Sequence, residues 1–389
     1  MMSTTQPAMV EPNVPASVHP RIKAEKPHIH YFALDGLRGT AILAVFLFHF
    51  GGGNHKPTNL PIRIWLAIVH AGWMGVDLFF VLSGFLITGI LYDTAHKKDR
   101  IKNFYARRAL RIFPLFYGVL FGFLLLTPVL HLHWRPGHAL YFLYLYNMVP
   151  LLAPKLASPG PSMVLNHFWS LSVEEQFYLL WPFVVWFIRD RRKLLWISAA
   201  VMVGALALRT AIILHGGTQL DVYALLPTRA DSLIFGAAVA LLVRGPNGQH
   251  LPVKPVALLC GLLSVLILLS GHVSGLRTQL ISTVGYTTLG LFFACLVYWA
   301  QQGHVLVTRI FGTRWLRFFG RYSYGLYVYQ GLLLEPLTHR VHTIQRFVHS
   351  DAVGGMLFLL IAMSVILAIS IASYHFFEEP LLRLKRHFA

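Results

Sequence analysis

Cysteine is almost missing: Cys260 and Cys295 are the two in 389 residues, both inside apolar runs and without C-x-x-C spacing. Neither a disulfide framework nor a zinc site is indicated, no metal is expected, and both thiols read as packing residues. Charge is nearly as scarce. Charged residues make up 12% of the chain against 56% hydrophobic, with a mean hydropathy of +0.59, which excludes an ordinary soluble domain. Negative charge is scarcest, since 15 Asp and Glu face 33 Lys and Arg for a formal net charge of +18. In a soluble protein that excess would suggest nucleic acid. Here the bases are not interleaved with an aromatic-binding fold, and in a membrane chain Lys and Arg set orientation first, so nucleic acid is set aside. Residues 1–27 are polar and lack an apolar h-region, so they read as a disordered cytoplasmic tail instead of a secretory signal, and the membrane domain is expected over 28–389.

What the chain has is long apolar runs. Stretches of about 20 residues predict spans near 33–52, 72–92, 114–130, 167–188, 194–213, 224–243, 253–270, 278–300, 320–338 and 353–377. The expected fold is all-α, a polytopic membrane bundle of about ten helices embedded in lipid. The aromatic run His138 to Pro150 is too short to cross and reads as interfacial or re-entrant. With the N-terminus inside, the inner segments hold 23 Lys and Arg against seven on the outer segments, so both termini are expected in the cytoplasm.

Against this apolar background a few ionisable residues stand out. Arg38 and His49 lie in one predicted helix, DGLRGTAILAVFLFHF, eleven residues apart. That spacing is about three turns, so the two share a face about 16 Å apart along the axis. Asp35 falls near the same face. Ionisable groups are costly in lipid and are expected to face a protein interior or wet cavity, although a snorkelling arginine and a hydrogen-bonded core histidine would read the same way. The topology brings Asp77 in the second span, and His167, Ser170, Glu174 and Glu175 in the fourth, to the outer level of His49. On the inner side, Arg108 and Arg111 are three residues apart and face one way on a helix, a spacing suited to phosphates and equally to lipid head groups. Asp77, Glu174 and Glu175 also sit where carboxylates stabilise a helix start without chemistry. Arg229 and Asp231 read as an intramembrane ion pair, and Glu378 as a partner for the basic tail RLKRH.

Taken together, these residues resemble the acyltransferase-3 family of integral membrane enzymes over residues 31–383. The likeness rests on Arg38-x10-His49, GVDLFFVLSGFLI, Arg108-x-x-Arg111, and Ser170 with Glu174, Phe177 and Tyr178. TRADSLIFGAAVA, GRYSYGLYVYQ and EEP echo it further on. The chain departs from the pattern at Gln330, where many relatives carry histidine; some relatives append a soluble hydrolase-like domain after the last helix, and the form without one is expected here. The resemblance implies an acyl-coenzyme A donor, usually acetyl-CoA, supplied from the cytoplasm. It implies as acceptor a hydroxyl of a cell-surface glycan, lipid-linked sugar or related small molecule, at a bacterial inner membrane and alongside glycan-assembly proteins. On that reading Arg38, Arg108 and Arg111 hold the donor and His49 is the general base. Asp77 or Glu174 orients the imidazole, and Ser170, Tyr178 and Glu175 bind substrate. A transporter with an intramembrane His and carboxylate relay, and a non-catalytic subunit of a polysaccharide assembly complex, are the rival readings.

Overall fold

The computed structural model describes residues 32–52, 59–131, 134, 136–149, 161–270 and 279–388. The expected disordered tail at 1–27 lies outside them. Among the described residues there is no strand, and the chain is an all-α polytopic membrane bundle. Its helices are α1 Phe32–Phe50, α2 Leu60–Ala71, α3 Met74–Asp93, α4 Arg100–Leu130, α5 Trp169–Ile188, α6 Arg191–Leu214 and α7 Leu226–Leu242. They continue as α8 Val253–Leu269, α9 Tyr286–Gln301, α10 Val305–Phe311, α11 Arg314–Arg321, α12 Ser323–Leu332, α13 Val341–Val348 and α14 Asp351–Ser373.

Seven helical stretches among the described residues are long and apolar enough to cross a bilayer. The other three predicted spans are helical but differ in kind. Residues 167–188 give α5, which carries Glu174 and Glu175 in its second turn. Residues 253–270 give α8, at 17 residues. Residues 320–338 are broken at Tyr322 and Leu333 into the end of α11, α12 and a last short turn, Leu334–Thr338. The aromatic run forms short 3-10 turns, Pro136–Leu143 and Tyr146–Met148, that pack inward. Tyr117 donates to the Phe142 carbonyl at 2.9 Å, and Gln176 donates to the Tyr144 carbonyl at 2.7 Å, tying the run to α4 and α5. Helix α2 was not expected. Its start is set by Asn59, whose side chain accepts from the Ile62 amide, and by Pro61 in the first turn.

The centre of the bundle is α3 packed along α7, with α1 between α3 and α11 and with α12 against α14. Close approach depends on small residues. A Cβ on Gly84 would strike the Leu233 carbonyl, and one on Gly236 the Val81 carbonyl, so α3 and α7 touch backbone to backbone at two matched glycines. Outward faces are apolar instead: Leu258, Leu259 and Leu262 on α8 and Met356 and Leu360 on α14 are exposed, as a lipid-facing surface requires. The basic segments gather at one end. Arg244 grips Asp93 at 2.5 and 2.7 Å, Arg107 donates to the Phe388 carbonyl at 3.1 Å, and the Arg191 guanidinium lies over Gly245.

Candidate active site

Helix α1 is the spine of the site, because its regular rise separates Arg38 and His49 into two adjoining cavities. The inner cavity, about 90 Å3, is lined by Arg38, Arg108, Arg111, Ser83, Ser170, Glu174, Tyr178, Ser323 and Tyr324, among others. Arg38 comes from α1, Arg108 and Arg111 from α4 about two to three turns past its start at Arg100, and the polar groups from α3, α5 and α12. Three guanidiniums therefore converge at one place. Arg108 stacks on Tyr178 with its Cζ 5.6 Å from the ring centroid. Glu174 is held twice: Ser83 donates to its Oε1 at 2.7 Å and Tyr178 to its Oε2 at 3.3 Å. Glu175 is partly buried beside it, its Oε1 without a protein partner among the described residues.

The outer cavity is larger, about 630 Å3, and is lined by His49, Trp73, Asn166, His167, Trp169, Gln219, Tyr223, Tyr327 and Glu335, among others. The Nδ1 of His49 is buried and has no protein hydrogen-bond partner among the described residues. The cavity is lined by imidazole, amide and carboxylate side chains and by aromatic walls. That combination suits a hydroxylated ring with apolar faces.

The sequence-predicted residues are accordingly divided and do not form one cluster. Glu174 belongs with the arginines and not with His49: it lines the inner cavity together with Ser170, one helical turn before it on α5, and neither residue lines the cavity of His49. Asp77 lies in neither cavity lining. It is fully buried, and its Oδ1 accepts from Arg229 at 2.6 Å and from Ser232 at 3.0 Å. Arg229 and Asp231 do not pair with each other as expected; the partners are crossed. Arg229 pairs with Asp77, while Arg209 on α6 takes Asp231 at 2.7 Å. Successive side chains on α7 point to different neighbours, which the one-dimensional pattern does not specify. Glu378 is buried and meets Ser373 at 3.4 Å, whereas it is Glu379 that faces Arg383 in the basic tail, at 3.5 Å.

Polar groups that sequence reasoning left without a role line the outer cavity, among them Asn166, Gln219, Tyr223, Tyr327 and Glu335. Tyr327 lies in GRYSYGLYVYQ, so the motif was visible and only its placement was not.

The family model described as an acyltransferase domain matches residues 31–375. The chain belongs to the acyltransferase-3 family. Among its relatives, the provisionally named peptidoglycan O-acetyltransferase YrhL of Bacillus subtilis is 27% identical over 377 residues, covering 91% of this chain and 55% of that protein. Peptidoglycan O-acetyltransferase OatA of Listeria monocytogenes is 29% identical over 317 residues, 76% of this chain and 48% of its own length. A provisionally named O-acetyltransferase of Staphylococcus aureus is 29% identical over 370 residues, 89% of this chain and 56% of its own. The acyltransferase-3 chain described here thus spans about half the length of the curated relatives it matches. No solved structure gives a significant match.

Proposed function

We propose that this acyltransferase-3 chain moves an acyl group, acetyl in the first instance, from a coenzyme A thioester at its basic end to a sugar hydroxyl at the opposite face of a bacterial inner membrane. One observation carries the reading: a cavity lined by Arg38, Arg108 and Arg111 abuts a cavity lined by His49. The names of the relatives favour a glycan of the peptidoglycan type as acceptor. The orientation is that of the basic end facing the cytoplasm.

The residues suit such a donor. Three guanidiniums at one mouth offer charge-assisted, bidentate bonds to phosphate oxygens. At about 90 Å3 the inner cavity is too narrow for a nucleotide, so it would take only an extended arm and leave the nucleotide at the basic surface. Ser170 and Tyr178 then flank the arm, Glu175 lines neither cavity, and Glu174, fixed by Ser83 and Tyr178, keeps the arginines in place.

At the outer end His49 takes the proton of the acceptor hydroxyl as that oxygen attacks the thioester carbonyl. The ester C–O bond forms, the C–S bond breaks, and the proton leaves His49 with the thiolate. His49 lines the outer cavity, and its buried Nδ1 has no protein partner among the described residues that would hold the ring in one orientation. Neither Asp77 nor Glu174 bonds the imidazole, so orientation falls to the cavity wall and to the α1 backbone.

The test is transfer of radiolabelled acetyl from coenzyme A in membranes at matched protein levels. His49→Ala is expected to lose about 10²- to 10⁴-fold in transfer with donor binding retained. Arg108→Ala with Arg111→Ala is expected to lose donor binding. Undiminished transfer by His49→Ala would sink the assignment of the base, and donor binding indifferent to both arginines would sink the donor site.

A further inference from the structure

The two cavities share two lining residues, Val76 and Tyr327. Tyr327 is buried, and its hydroxyl is anchored on both sides. It donates to the His167 carbonyl at 2.6 Å and lies 2.5 Å from Ser170 Oγ. A tyrosine has one hydroxyl proton, and that proton is committed to His167, so Ser170 is the donor in the second bond. The resulting chain, from Ser170 through Tyr327 to the His167 carbonyl, ties the start of α5 to α12. His167 is itself fixed against α12. Its Nε2 is 3.1 Å from the Val328 carbonyl, and its ring presses on Gly331 so closely that a Cβ there would collide with Nδ1.

A phenol ring braced in this way is a wall. We propose that Tyr327, with Val76 beside it, is the partition between the donor and acceptor chambers. An arriving acyl arm passes by exchanging the Ser170–Tyr327 hydrogen bond for bonds of its own. Tyr327 is then a positioning residue that decides between transfer and hydrolysis. With the partition lost, water from the outer cavity reaches the thioester, and His49 activates water as readily as a sugar hydroxyl. The C–S bond then breaks against a water oxygen, giving the free acid and thiol, with the proton again carried through His49 to sulfur. The catalytic half of this inference rests on the proposed function; the existence of the wall does not.

The two halves are therefore tested separately. Ser83 lines the inner chamber alone, so Ser83→Cys in a Cys260→Ser, Cys295→Ser chain reports on access to it. A membrane-impermeant maleimide is applied from the face opposite the basic end. Tyr327 and Tyr327→Phe, which keeps the ring, are expected to protect the thiol. Tyr327→Ala, and independently Val76→Ala, are expected to raise labelling about tenfold. Labelling with Tyr327 intact, or protection that survives both truncations, overturns the partition. With Tyr327 substituted alone and Ser83 retained, the ratio of acetyl-CoA hydrolysis to transfer is expected to rise about tenfold for Tyr327→Ala and to stay near wild type for Tyr327→Phe. An unchanged ratio alongside opened labelling overturns the positioning role while leaving the wall. Absence of transfer in the wild type with labelling as expected defeats the proposed function and not the partition.

Discussion

Arg229 and Asp77 meet at 2.6 Å between α7 and α3, both side chains fully shielded from solvent. The guanidinium also lies against the Tyr286 ring, 3.8 Å from its centroid, and a second buried pair, Arg209 with Asp231, stands beside it. Charges at this depth are tolerated because each faces an opposite charge. Taking away one member leaves the other uncompensated, whereas taking away both removes the problem.

Asp77→Leu is therefore expected to cost about 3–5 kcal/mol, with Asp77→Leu/Arg229→Met recovering most of it. Thermal unfolding of purified protein in detergent reads both. Transfer by the folded double variant would assign Asp77 to architecture. A folded but inactive double variant would return its carboxylate to the chemistry.

Glu174 faces Arg108 and Arg38 and is bonded to Ser83 and Tyr178, away from His49. Glu174→Gln keeps both hydrogen-bond positions and removes the charge. The expected effect is on donor KM, about fivefold, corresponding to about 1 kcal/mol in a charge-assisted network, with kcat little changed. A fall in kcat at constant KM would instead tie Glu174 to the base.

These predictions divide along what could be read from the chain. The helical class, the basic end and the Arg38 to His49 axis were legible, because apolar run length, Lys and Arg bias and the helical rise are local properties. The inner cluster of Arg38, Arg108, Arg111 and Glu174 was half legible: the residues were found, but Glu174 was set at the wrong level. Asn166, His167 and Trp169 line the outer chamber, whereas Ser170 and Glu174, within about two turns of them, line the inner one, and depth at that scale depends on where the helix begins. The partners of Asp77 were not legible at all, since Arg229 is 152 residues away and the choice between Asp77 and Asp231 is made by helix crossing. That crossing is itself set by Gly84 and Gly236, which carry no signal in an apolar run.

Those glycines give a paired prediction. Gly236→Ala would drive a methyl into the Val81 carbonyl, whereas Gly122 on α4 and Gly204 on α6 have nothing within 4 Å. Gly236→Ala is expected to destabilise by about 1–3 kcal/mol through overpacking of α3 on α7. Gly122→Ala and Gly204→Ala are expected to stabilise by up to about 1 kcal/mol, since alanine loses less backbone freedom in a helix than glycine does. Melting temperatures of the three variants in one detergent decide it, and a neutral Gly236→Ala would mean that α3 and α7 can separate without cost.

Gln330 on α12 is 1% exposed, and neither its Oε1 nor its Nε2 has a protein partner among the described residues. A buried amide in that condition costs about 1–3 kcal/mol, and replacing it with an apolar group of similar shape removes the penalty. Gln330→Leu is accordingly expected to raise stability by about 1–2 kcal/mol. Gln330→Glu, which would bury a charge without a partner, is expected to lower it by more. Transfer should follow the fraction folded in both cases if the amide has no part in the reaction. The informative contrary result is Gln330→Leu that melts higher and transfers less. It would mean that the unpaired amide is kept for a substrate atom, at the position where many relatives place an imidazole.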